Sequence, residues 1–118
     1  ETLDDKIAEI TVSTAHKIGA DAIVTYTKTG RSVEKLAGFG AVSPILAITD
    51  DKKTYNQLAS NFDGKLDQQK LTEGASKGIH IFKEKGIIEN GDLLYLAGGR
   101  EYLSGVKESK RIGGIVIA

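Results

Sequence analysis

Thr27-Lys28-Thr29-Gly30-Arg31-Ser32 sets three hydroxyls, two cations and a glycine in six consecutive positions. The segment lies between an apolar, β-branched run and a helical pattern. The first-turn amides and positive dipole end of that helix therefore point toward it, and Gly30 lets the backbone come close. In physical terms this is a cradle for a phosphate. The same residues also suit a plain helix start, with Thr29 or Ser32 as cap and the cations solvated. On residue types alone the two accounts are balanced. The spacing is not that of the G-x-x-x-x-G-K-[ST] nucleotide loop.

A second candidate stretch, Gly98 to Lys110, follows a later strand. Lys107, Lys110 and Arg111 form a small basic cluster there, either solvated or a further phosphate contact. The absence of cysteine excludes thiol chemistry, disulfides and a thiolate zinc cage, and the isolated His16 and His80 make a weak metal set. Asp50-Asp51 reads as a helix cap in preference to a cation site.

The elements that must position these residues are legible from periodicity. Leu3, Ile7, Ile10, Ala15 and Ile18 recur at roughly helical spacing, and Gly19 closes that helix. Ala22 to Tyr26 is a short strand buried on both faces. Arg31 to Ala37 is a helix with Val33 and Leu36 inward, closed by Gly38 and Gly40. Pro44 to Thr49 is a second strand, followed by a helix with Tyr55, Leu58 and Ala59 as its apolar members. A weak strand near Asn61 to Leu66 comes next, then a long helix from about Gln68 to Lys85 on which Leu71, Ala75, Ile79 and Phe82 align, stopped by Gly86. Asn90-Gly91 is a turn, Asp92 to Ala97 a buried strand, and Ile112 to Ala118 a last strand. Such alternation predicts an α/β sandwich with a mainly parallel sheet between helix layers, its ligands beyond the carboxyl ends of the strands.

Composition bounds what such a fold can do. At 118 residues the chain is one domain, too short for a catalytic barrel of ~200 residues or more. Sixteen Lys and Arg balance sixteen Asp and Glu, so no overall charge favours nucleic acid or an anionic membrane. No apolar run approaches the ~18–20 residues of a membrane span, and the acidic start is unlike a signal peptide, so the expected location is the cytoplasm. The sequence opens on Glu1 without a methionine, which favours a portion of a longer protein over a stand-alone one.

Ile23 to Ser32, then Pro44-Ile45-Leu46-Ala47-Ile48-Thr49, then Lys85 to Asp92 resemble in order and spacing the C-terminal domain of pyruvate kinase. That family writes a strand, a T-[KS]-[ST]-G-[RT]-[ST] loop, and then P-I-x-A-x-T. The resemblance spans nearly the whole chain. It implies a three-layer α/β/α sandwich with a mixed five-stranded sheet whose last strand is antiparallel, and a regulatory domain without catalytic groups. It also assigns the 6-phosphate of a sugar phosphate activator, commonly fructose 1,6-bisphosphate, to Thr27, Lys28, Thr29, Gly30, Arg31 and Ser32. No cofactor is implied here, since Mg²⁺ and K⁺ belong to a catalytic barrel with no counterpart in these residues. The partners implied are a phosphorylated metabolite and either further copies of the chain or the catalytic domains of a longer one.

Two departures narrow the implied ligand. The positions where the family often places a Trp and an Arg for a second phosphate are Asp67 and Gly74. The effector loop is represented by Gly98-Gly99-Arg100-Glu101-Tyr102-Leu103-Ser104-Gly105, which keeps its glycines and loses the Trp and the Thr-Asn pair. A monophosphate, or no effector, follows. The expected consequence is that Gly30→Asp abolishes sugar-phosphate binding while the domain folds, provided the Gly30 backbone tolerates a side chain. The competing accounts are a nucleotide-using enzyme on a Rossmann-like scaffold, against which stands the lack of a G-x-G-x-x-G at a helix start, and a domain that serves chiefly as an oligomer interface.

Overall fold

The computed structural model describes residues 2–61, 71–73, 78–97, 111–112 and 114–118. In chain order the elements are α1 (Leu3–Ile18), β1 (Ala22–Tyr26), α2 (Arg31–Gly38), β2 (Ile45–Thr49), α3 (Lys52–Asn61), β3 (Leu71–Glu73), α4 (Gly78–Glu84), β4 (Leu93–Ala97), β5 (Arg111–Ile112) and β6 (Ile115–Ile117). They build a mixed α/β sheet in the order β3-β2-β1-β4-β6-β5. β3, β2, β1 and β4 run parallel, while β6 is antiparallel to β4 and to β5. Among the described residues the sheet has six strands where five are implied, because the segment read as one last strand holds two that pair antiparallel: β5 includes Ile112, β6 starts at Ile115, and Gly114 lies in a turn.

A second correction concerns the long helix read from Gln68 to Lys85. Leu71–Glu73 is a strand, paired in register with Ala47, Ile48 and Thr49 of β2, and the described helix is Gly78–Glu84, with 68–70 and 74–77 of that span outside the described residues. Partner strands supply backbone hydrogen bonds from a distant part of the chain, and these override a local helical period. Of the weak strand read over Asn61 to Leu66, Asn61 is the last residue of α3, and the remainder falls outside the described residues.

Alternation along the strands sends side chains to three apolar clusters. Val24, Leu46, Ile48, Leu94 and Val116 pack with Ile79 and Phe82 of α4. Ile23 packs with Ala8, Val12 and Ala15 of α1 and Leu36 of α2, and Ala47 with Val33 and Leu58. α1 therefore docks through a different stripe from the one its largest apolar residues suggest. Ala8, Thr11, Val12 and Ala15 are buried, whereas Leu3, Ile7 and Ile10 are 72%, 52% and 62% exposed. Small residues let the helix axis lie close to the sheet, and the larger ones face outward.

The α1 start carries a capping box. Thr2 Oγ1 accepts the Asp5 amide, Asp5 Oδ2 accepts the Thr2 amide, and Lys35 Nζ reaches Asp5 Oδ1 at 2.7 Å. The Lys35 hydrogen bond, with help from Thr2, holds the Asp5 carboxyl at about 2 against an ordinary 3.8. The folded state thus favours the carboxylate, so this contribution to stability is fully present above about pH 4 and is lost as pH falls through about 2. Asp5→Asn is expected to lower the urea midpoint at pH 7, with the difference from the parent shrinking as pH falls through about 2. A midpoint difference that does not change with pH would contradict this account.

Candidate anion-binding loop and cleft

The loop after β1 is fixed by side chains that satisfy its backbone. Thr27 is buried; its amide donates to Ile48 O at 2.9 Å, and its Oγ1 accepts the Gly30 amide at 2.7 Å. Thr54 of α3 donates its hydroxyl to Lys28 O, and Thr54 is oriented by its own amide donating to Asp51 Oδ1 at 2.9 Å. Gly30 adopts φ 87°, ψ −6°, a left-handed turn that starts α2, and a Cβ there would lie 3.2 Å from Leu58 Cδ2. That conformation explains the glycine.

This scaffold leaves donors unused. The Arg31 amide makes a long contact of 3.4 Å to Thr29 Oγ1, and the Glu34 amide closes the first helical turn on Gly30 O. Among the described residues the amides of Lys28, Thr29, Ser32 and Val33 find no acceptor. Lys28, Thr29 and Arg31 are exposed and Ser32 is half-buried. The six residues read from the sequence lie in one turn, with Thr27 and Gly30 buried and Lys28, Thr29, Arg31 and Ser32 on the open side.

Beside the loop lies a cleft of about 440 Å³, bounded by the carboxyl ends of β1 and β4 and by α1 and α2. Arg31 and Ser32 belong to both. Ile7, Lys35, Leu36 and Tyr95 also line it, and sequence spacing pointed to none of them, because tertiary docking alone brings α1 and β4 to α2. Thr54 and Leu58, which brace the loop from α3, were missed for the same reason.

Of the other candidates, Gly98, Gly99, Arg100, Ser104 and Gly105 of the effector loop lie outside the described residues, as do Asp67, Gly74, Lys107 and Lys110; Arg111 begins β5. His16 Nε2 accepts the Val42 amide at 3.1 Å, joining the end of α1 to the α2–β2 connection, and His80 Nε2 lies 2.8 Å from Glu84 Oε1 on α4. Asp51 caps α3, and Asp50 accepts the Tyr26 hydroxyl at 3.3 Å. Among the described residues no group of three or more His, Asp or Glu is placed to hold a metal ion.

The family model for "Pyruvate kinase, alpha/beta domain" matches residues 5–110. The chain belongs to that family. Pyruvate kinases of Haemophilus influenzae and Thermotoga maritima are each 29% identical to this domain, over 105 and 91 residues, or 84% and 72% of it. The domain spans only 22% and 19% of those proteins, about a fifth of their length. Two crystal structures of Cryptosporidium parvum pyruvate kinase share its fold, with TM-scores of 0.66 and 0.65 at 21% identity; they cover 86% and 82% of the domain, which spans 21% of each of those chains. In the pyruvate kinase alpha/beta domain described here, the T-K-T-G-R-S loop occupies the turn from β1 into α2.

Proposed function

We propose that this domain is the regulatory part of a pyruvate kinase, and that its Thr27–Ser32 loop holds the phosphate of a phosphorylated metabolite. The observation that carries the reading is the convergence of the unaccepted Lys28, Thr29, Ser32 and Val33 amides with the Lys28 and Arg31 cations at the start of α2. Charge-assisted hydrogen bonds from such a set contribute roughly 1.5–3 kcal/mol each when well formed. The domain itself carries no phosphate-transfer chemistry; that chemistry, with its Mg²⁺ and K⁺, belongs to a catalytic barrel supplied by the rest of a cytoplasmic, glycolytic enzyme. The pure chain with phosphoenolpyruvate and ADP is expected to give no turnover.

Ser32→Asp is the direct test of the loop. A carboxylate in the first turn of α2 interacts favourably with the helix dipole, by about 0.3–1 kcal/mol, yet occupies the anion position. The expected result is a loss of more than about tenfold in affinity for ribose 5-phosphate by calorimetric titration, with the denaturation midpoint held or raised. Unchanged affinity, once binding to the parent is measured, would reduce the loop to a helix start.

A second role, subunit contact, is favoured by the exposed apolar side chains of Leu3 and Ile10 on α1. Either the catalytic domains of a longer chain or another copy of this one is the proposed cover.

A further inference from the structure

We infer that the cleft beside the loop receives the organic body of the ligand, and that this body is a planar, weakly polar group carrying no second phosphate. The inference rests on the phosphate reading of Thr27–Ser32 and narrows the ligand to a class.

Topology marks the cleft first. The chain leaves β1 for β2 through α2 on one face of the sheet, and reaches β4 from β3 through α4 on the other. The seam between β1 and β4 is therefore where the strand order reverses, the place at which open α/β sheets bind ligands beyond their carboxyl ends. The cleft opens at that seam, and its volume of about 440 Å³ falls within the ~300–1,000 Å³ of small-molecule sites.

Its walls then select the chemistry. Ile7, Leu36, Tyr26, Tyr95 and Leu96 make most of the surface apolar or aromatic. The Tyr95 ring is set against Gly114, where an added Cβ would lie 3.1 Å from Tyr95 Cε1, so the missing side chain leaves room for the ring. Against such walls the hydroxyls of an open sugar would lose water without gaining partners, whereas a flat ring gains contact with the tyrosines.

Among the described residues, charge disfavours a second anion in the cleft. Lys35 is already engaged by Asp5 at 2.7 Å, and Asp4 also lines the cleft. Among the described lining residues Arg31 is the cation without an ion-pair partner, and it stands beside Ser32 at the junction with the loop. One phosphate fits at that junction. A second phosphate in the cleft would meet the Asp4 carboxylate that lines it.

The test is calorimetric titration of the 118-residue chain with inorganic phosphate, ribose 5-phosphate, fructose 1,6-bisphosphate and 1-naphthyl phosphate. The expected order places 1-naphthyl phosphate about tenfold tighter than ribose 5-phosphate, with no gain from the second phosphate of the bisphosphate. Ile7 is 52% exposed, so Ile7→Asn leaves the core intact; it is expected to erase the naphthyl advantage and leave inorganic phosphate unaffected. Equal binding of the monoesters, tighter binding of the bisphosphate, or a naphthyl advantage that survives Ile7→Asn would each overturn the inference while the phosphate reading stands. Failure of all four probes to bind would overturn both.

Discussion

Phe82→Ala is expected to lower the free energy of unfolding by about 3–5 kcal/mol, a large part of the ~5–15 kcal/mol available to a domain of this size. Phe82 is fully buried and packs with Ile79 against Leu46, Ile48, Leu94 and Val116. The seven described residues of α4 are too few for their own hydrogen bonds to hold a helix in water. Its place on the sheet therefore depends on these two side chains. Removing the ring leaves a cavity and loosens the whole cover of that face, so urea denaturation followed by circular dichroism should show a much reduced midpoint. Phe82→Leu, which keeps most of the volume, should recover over half of the loss. A cost below 1 kcal/mol for the alanine variant would mean that α4 is held by something else.

Gly30→Asp is expected to lower stability by about 2–3 kcal/mol as well as to remove phosphate binding, so the proviso attached to this substitution in reading the sequence is not met. With φ at 87°, any L-residue at this position is strained, by roughly 1–2 kcal/mol. The new Cβ also comes within 3.2 Å of Leu58 Cδ2, and Leu58 is buried against Val33 and Ala47 with little room to retreat. Gly30→Ala supplies the matched control, because it introduces the same crowding without a charge. The two variants should lose similar stability, measured by thermal denaturation, and the further loss of phosphate affinity in the aspartate variant isolates the carboxylate. If both retain the parent's midpoint, the left-handed turn at Gly30 is not what shapes the loop.

These two positions also show what could be read from the sequence. The loop was legible because its function is local: hydroxyls, cations and a glycine lie within six residues, and β1 and α2 flank them immediately. α1 was legible to the residue, its end fixed by Gly19 at φ 68°. The strand at Leu71–Glu73 was hidden because Leu71, Ala75, Ile79 and Phe82 keep a helical period, and only the ladder to Ala47, Ile48 and Thr49, more than twenty residues away, makes the first of them extended. The cleft was hidden for a related reason. Which side of α1 meets the sheet depends on how closely Ala8 and Ala15 let it approach, and no count of apolar residues along the helix contains that distance.

The seam between β1 and β4 also governs the order of assembly. Pairing Ile23 with Ile45 closes a short loop through α2, whereas pairing Ile23 with Tyr95 joins residues 72 positions apart. The longer closure costs about 1 kcal/mol more in chain entropy, so the β1-α2-β2 unit forms early and β4 arrives late. Contacts made after the folding transition state act on the rate of unfolding and leave the rate of folding nearly unchanged. A molecule bridging the seam therefore works as a latch: it lengthens the lifetime of the folded domain without hastening its formation.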